Sequence, residues 1–181
     1  MPADTSFHAP VGNTIHVIQG THVVSDDPDT VLVSILGSCV STCLWDETAG
    51  IGGMNHFLLP EATSSDAEAT LFGAYAMELL LNELFKRGAR KNRLQAKLFG
   101  GGRIVSGLSD IGAKNGVFAR SFLEREGIAC VSESLGGDRA RRIRFWPVSG
   151  RAQQLLLKSA AEVNAPAPKP QTADGGDVDL F

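Results

Sequence analysis

Two side chains in this sequence have the chemistry to break an amide in water. Cysteine combines high nucleophilicity with a thiol pKa of about 8.5 that neighbours can draw through neutrality. Histidine is the side chain whose ordinary pKa suits it to moving protons near neutral pH. Of the cysteines, Cys39 stands apart. It follows Gly37-Ser38, where the backbone can turn tightly and approach a substrate, whereas Cys43 and Cys130 sit inside apolar stretches and read as small core residues. A buried, inert thiol is the competing reading of Cys39.

Whether His56 can serve Cys39 depends on one turn. Ser38 to Trp45 and Ile51 to Leu59 read as the two strands of a hairpin around Asp46-Glu47-Thr48-Ala49-Gly50. With the turn over Asp46 to Ala49, Trp45 faces Gly50 and Cys39 falls directly opposite His56, their Cβ atoms about 4.5 to 5.5 Å apart. A slip of one residue would send His56 to the other face. A histidine satisfied within the structure is the competing reading. His8, His16 and His22 have no comparable partner at a defined offset.

A thiolate–imidazolium pair suits hydrolysis of a carbonyl that bears a nitrogen leaving group. Cys39 would attack, and backbone N–H groups around Gly37-Ser38-Cys39 would hold the oxyanion. His56 would protonate the departing amine and then activate water against the thioester. A third group should orient the imidazole. Ser34 is the nearest hydroxyl upstream in an otherwise apolar strand, with Asn55 and Ser38 as rivals.

The elements that must position these residues follow from the apolar pattern. Ile15 to Ile18 and Val31 to Leu36 have the short, β-branched signature of strands, separated by the turn-rich Ser25-Asp26-Asp27-Pro28-Asp29. A helix starts at Ser65, where Ser65 and Glu68 have capping-box spacing, and ends at Lys86-Arg87-Gly88. Leu71, Phe72, Tyr75, Ala76, Leu79, Leu80, Leu84 and Phe85 would form its buried stripe. A second helix is expected over Ile111 to Glu126, followed by the apolar run Ile128-Ala129-Cys130-Val131, and Arg139 to Phe145 with Arg151 to Leu157 reads as another hairpin. Strands outnumber helices and short turns often join them. The fold class expected is α+β, a single layered domain with a mixed or antiparallel sheet.

Composition bounds the rest. The chain has 181 residues, 43% hydrophobic and 20% charged, which suits one soluble domain with a packed core. That domain is expected over residues 14–160, with a flexible tail over 1–13 and a disordered one over 164–181. The terminal Val178-Asp179-Leu180-Phe181 reads as a frayed end, with a docking peptide as the alternative. A net charge of −3 supplies no field for phosphate backbones, so no nucleic-acid partner is expected. No apolar run reaches the roughly 18 residues that would span a bilayer. Three cysteines and an N-terminus without a signal-peptide pattern point to the cytoplasm. Cys39-x3-Cys43 lacks a second ligand pair, so neither metal nor cofactor is expected. Phe99-Gly100-Gly101-Gly102-Arg103 lacks the P-loop pattern and reads as a tight turn carrying backbone close to the active face. Arg139, Arg141, Arg142 and Arg144 form either a solvated strand face or a patch for an acidic partner. With no sustained heptad seam, a monomer is the default.

Several segments together resemble the CheD family of chemoreceptor glutamine deamidases. They are Leu36-Gly37-Ser38-Cys39-Val40, Leu44-Trp45-Asp46, Gly52-Gly53-Met54-Asn55-His56-Phe57-Leu58-Leu59-Pro60, Tyr75-Ala76-Met77-Glu78-Leu79-Leu80, Ala96-Lys97-Leu98-Phe99-Gly100-Gly101-Gly102, Ile111-Gly112-Ala113-Lys114-Asn115 and Leu135-Gly136-Gly137. The resemblance covers about His16 to Leu157. It implies conversion of particular glutamines of methyl-accepting chemoreceptors to glutamate, with methyl-ester hydrolysis as a related reaction. It also implies a Cys-His-Thr type of site on a three-layer fold like that of certain toxin deamidases. Cys39 carries over as nucleophile and His56 as acid/base. Where the family has Thr this strand offers Val33 and Ser34, and Ser34 is the expected third member. A CheC-type phosphatase is an implied partner. The competing readings are a non-catalytic adaptor that binds chemoreceptors or such a phosphatase, and a papain-like protease, whose local motif is absent.

Overall fold

In a β-strand alternate side chains face opposite sides, so a strand buried along its whole length needs a packing layer on each side. β4 (Val40–Asp46) and β5 (Ile51–His56) are buried at every position. Cys43, Trp45 and Met54 enter one apolar cluster with Leu32, Leu36, Ile143 and Phe145, whereas Val40, Leu44 and Ile51 enter another with Met77, Leu80, Phe118 and Phe122. The first cluster lies between two sheets and the second between a sheet and the helices. The computed structural model describes residues 12–60, 65–104, 110–158 and 178–181.

The central sheet runs β2 (Thr21–Ser25), β5, β4, β6 (Gln95–Gly100), β7 (Ala129–Leu135). The outer sheet runs β1 (Asn13–His16), β3 (Thr30–Leu36), β8 (Arg141–Phe145), β9 (Ala152–Leu156), β10 (Val178–Leu180). β1 pairs with β3 and β6 with β7 in parallel, and the other neighbours are antiparallel. The layered α+β fold with mixed pairing is therefore found, with its strands divided between two sheets. Helices α1 (Asp66–Lys86) and α2 (Ile111–Glu126) cover the far face of the central sheet. No helix is long and apolar enough to cross a membrane among the described residues.

α1 begins on the expected capping box: Glu68 N–H donates to Ser65 Oγ at 3.2 Å and Ser65 N–H to Glu68 Oε2 at 3.0 Å. Its buried stripe is Gly73, Met77, Leu80, Leu81 and Leu84. Leu71, Phe72, Tyr75 and Leu79, expected inside, are exposed. The helix is apolar over too wide an arc for periodicity to select the inner side. Selection comes from Gly73, where a Cβ would stand 2.6 Å from the Phe118 ring, and from Met77, whose sulfur accepts from Thr42 Oγ1 and Asn55 Nδ2.

Three further expectations change. Cys130 is exposed, because β7 is an edge strand. The arginines are not a solvated patch. Arg141 is 2% exposed and donates to Ser134 O and Gly136 O, while Arg139 donates to Leu156 O and Leu157 O. Val178–Leu180 pairs with β9, and Phe181 sets its ring edge-on to Phe99 at 5.4 Å, so the last four residues are not frayed. The remainder of that tail, 164–177, and residues 1–11 of the other tail, His8 included, lie outside the described residues.

Asp46 closes the β4–β5 hairpin as a carboxylate with no exposed surface. It accepts from Arg93 Nε at 2.9 Å, Arg93 Nη2 at 2.8 Å, Arg90 N–H at 2.9 Å and Ala49 N–H at 3.0 Å. Burial pushes its pKa up, but the Arg93 side chain and the two N–H donors outweigh burial and hold it below the usual value. Asp46→Asn should cost about 3 kcal/mol in denaturant unfolding, because it leaves a guanidinium without its partner. The pKa is depressed in the fold, so this contribution is present above the unfolded aspartate value of about 3.9 and is lost as pH falls below it.

Candidate active site

The β4–β5 register pairs Cys43 with Met54, Leu44 with Gly53, Trp45 with Gly52 and Asp46 with Ile51, and Val40 bridges Phe57. The turn is therefore Glu47 to Gly50, with Gly50 at φ +64°, one step later on each strand than expected. The offset moves the pairing by two residues, so every side chain keeps its face. Cys39 and His56 still share the inter-sheet side, but on a diagonal, where neighbours lie about 7 to 8 Å apart and their Cβ atoms somewhat closer. Ser41 stands opposite His56 instead. No hydrogen bond joins Cys39 to His56: the thiol donates to Gln19 Oε1 at 3.3 Å, and His56 Nε2, buried, has no partner.

His56 is anchored through its other nitrogen. Nδ1 lies 2.9 Å from Ser34 Oγ and 3.1 Å from Val17 O, and the Ser34 hydroxyl donates to the same Val17 carbonyl at 2.7 Å. A carbonyl only accepts, and the single Ser34 proton is committed to it. Nδ1 must then carry the hydrogen and donate, which leaves the lone pair on Nε2. Ser34 projects from β3 of the outer sheet and His56 from β5 of the central one, so the contact spans the inter-sheet layer. Of the rival orienting groups, Asn55 faces the helices, where it accepts from Thr42 N–H at 2.9 Å and donates to Met77 Sδ. Ser38 offers its carbonyl to Asn115 of α2 and makes no bond to His56.

The Gly37–Cys39 loop leaves β3 and enters β4 under restraint from two sides. Gly101 N–H donates to Cys39 O at 2.7 Å and Gly102 N–H to Gly37 O at 2.9 Å. Gly101 sits at φ +63°, a region that favours glycine. The glycine-rich turn thus lies directly against the Cys39 backbone. From the other side Asn115 of α2, fully buried, donates from Nδ2 to Ser38 O at 2.8 Å and accepts from Leu59 N–H at 2.9 Å. Asn115, Gln19 and the Val17 carbonyl are contributors that the sequence does not single out for chemistry. Asn115 could have been suspected as a polar residue on a helix otherwise facing a core, but a backbone carbonyl has no signal at all.

Electrostatics set the resting protonation. Burial pushes the Cys39 thiol up, against a smaller pull from its own backbone N–H. Burial also pushes the His56 pKa down, against a smaller lift from the Val17 carbonyl. The pair therefore rests as thiol and neutral imidazole, not as the thiolate–imidazolium expected from the sequence. Cys43 is fully buried, and burial pushes its thiol far up, so it has no nucleophilic form near neutrality. No group of three His, Cys, Asp or Glu side chains is placed to hold a metal among the described residues.

Known proteins share this chain closely. The family described as CheD chemotactic sensory transduction matches residues 58–155. A protein of Caulobacter sp. (strain K31) named probable chemoreceptor glutamine deamidase CheD is 53% identical over 173 residues, 92% of each chain. The chain belongs to the CheD family. CheD proteins with the same name from Acidiphilium cryptum and Agrobacterium fabrum are 57% identical over 79% of this chain and 77% of theirs, and 49% identical over 92% and 96%. An alignment that covers 92% of the chain includes Ser34, Cys39 and His56, so the CheD relationship extends over the whole candidate site.

Proposed function

We propose that this CheD protein is a chemoreceptor glutamine deamidase in which Cys39 is the nucleophile, His56 the acid/base and Ser34 the residue that orients His56. The observation that carries this is the anchoring of His56 through Nδ1 by Ser34 and the Val17 carbonyl. With Nδ1–H held by Ser34 Oγ and Val17 O, the free lone pair of Nε2 lies on the sheet face shared with Cys39. A neutral thiol and a neutral base on one sheet face react by transferring the proton as the sulfur attacks.

The steps balance as follows. Nε2 takes the Cys39 proton while sulfur bonds to the side-chain carbonyl carbon of a receptor glutamine. Peptide N–H groups of the Gly37–Cys39 loop receive the oxyanion. Nε2–H then protonates the amide nitrogen, ammonia leaves and a thioester remains. Water attacks that thioester with its proton passing to Nε2, and glutamate and the thiol are released. Applied to a methyl-esterified glutamate, the same steps release methanol. The reaction belongs in the cytoplasm with the receptor signalling domains, and a CheC-type phosphatase is the further partner this reading expects, to be checked by co-elution of the two proteins.

Incubation with chemoreceptor cytoplasmic fragments, followed by peptide mass spectrometry, should show site-specific glutamine-to-glutamate conversion. Backbone cleavage, or no conversion, would contradict the assignment. Ser34→Ala should slow conversion about tenfold, the rate equivalent of one lost hydrogen bond of about 1.4 kcal/mol, because Val17 O still holds Nδ1. Ser34→Thr, which keeps the hydroxyl, should retain most of the rate.

A further inference from the structure

The thiol of Cys39 is already engaged by a carboxamide, the functional group on which the proposed reaction acts. Gln19 lies in the turn between β1 and β2, and its Oε1 accepts from Cys39 Sγ at 3.3 Å. The turn is pinned at both ends to the site. Val17 O holds Ser34 and His56, and Gly20 N–H donates to His56 O at 2.7 Å. Between these anchors Ile18 and Gln19 are exposed, so the Gln19 side chain is not packed into place and can leave. The unpartnered base nitrogen, His56 Nε2, has essentially no solvent contact.

We infer that Gln19 is a built-in stand-in for the substrate glutamine, occupying the carboxamide subsite at Cys39 until a receptor glutamine displaces it. This rests on the role proposed for Cys39. The contact is non-productive by its own geometry. The carbonyl oxygen of Gln19 receives the thiol hydrogen, so the sulfur keeps its proton, and the oxygen points at the nucleophile and not at the N–H donors an oxyanion would need. A substrate glutamine must present the opposite aspect, carbon to sulfur and oxygen away. The two carboxamides therefore compete for one place, and the turn that orients the base also covers the nucleophile.

Iodoacetamide, a small carboxamide that alkylates thiols, tests this without depending on deamidation. In the intact protein the rate at Cys39 is read by peptide mass spectrometry against Cys130, which is exposed and serves as the internal reference. Gln19→Ala should raise the Cys39 rate several-fold relative to Cys130. Gln19→Met, similar in length but without the carboxamide, should do the same. On receptor fragments both variants should show a lower KM with kcat little changed, since removing a competitor for the ground-state site leaves the chemical step alone. An unchanged or slower Cys39 alkylation in both variants overturns the inference, as does conversion of Gln19 itself to glutamate in the wild-type protein. A wild-type protein that does not deamidate receptors, with faster Cys39 alkylation in both variants, would fail the functional reading and leave the capping contact standing.

Discussion

Cys39→Ala should abolish receptor deamidation, by at least about a thousandfold, while leaving the protein folded. The loss follows from the chemistry, because no other thiol can take over. Cys43 is sealed in the inter-sheet core and Cys130 lies out on an edge strand. The fold should survive because Cys39 is only partly buried and packs at the margin of that core, so its truncation belongs with ordinary substitutions of about 1 kcal/mol. Cys43→Ala should behave in the opposite sense, costing stability in a denaturant titration with activity per folded molecule retained. Equal loss of activity in both variants would mean that the sequence distinction between the two cysteines has no catalytic meaning.

His56→Gln should lower kcat by about 10² to 10⁴, the usual range for a removed general acid/base. The pH profile gives a more discriminating readout. Burial holds the His56 pKa below the ordinary histidine value of about 6.5, so the imidazole is a free base at neutral pH. Wild-type kcat/KM should therefore be level near pH 7 and fall only once pH drops below about 6.5, through the lowered pKa. Stability should follow the same direction. The unfolded chain binds a proton at its normal pKa before the native one does, so the native state loses stability as pH falls below about 6.5, until the native pKa is passed. In His56→Gln that part of the acid dependence should vanish. An acid limb above the ordinary histidine value would contradict the neutral resting pair.

The site was legible in the sequence to the extent that short-range rules decide it. A hydroxyl in an apolar strand, a cysteine after a glycine and a histidine across a hairpin are local facts, and face alternation kept the latter two on one side even though the turn begins one residue later. The register was not legible. Asp46 looks like a turn residue, yet it ends β4 because Arg93 and Arg90 satisfy its carboxylate from outside the hairpin and Ala49 N–H from within the turn. β2 and β6 are not legible as strands either: β2 runs into the turn-rich Ser25, and β6 runs into the glycines, which mask a central strand buried at Ala96, Lys97, Leu98, Phe99 and Gly100. The face of α1, the Arg139 contacts with Leu156 and Leu157 and the C-terminal strand depend on long-range partners. No window of neighbouring residues contains those partners.

The most direct measurement is to quench wild-type protein in acid during turnover of a chemoreceptor fragment and analyse its cysteine peptides by mass spectrometry. A receptor peptide joined to Cys39 alone, through a bond that hydroxylamine releases, is the predicted result. Deamidation that continues undiminished after Cys39 has been fully alkylated would contradict it.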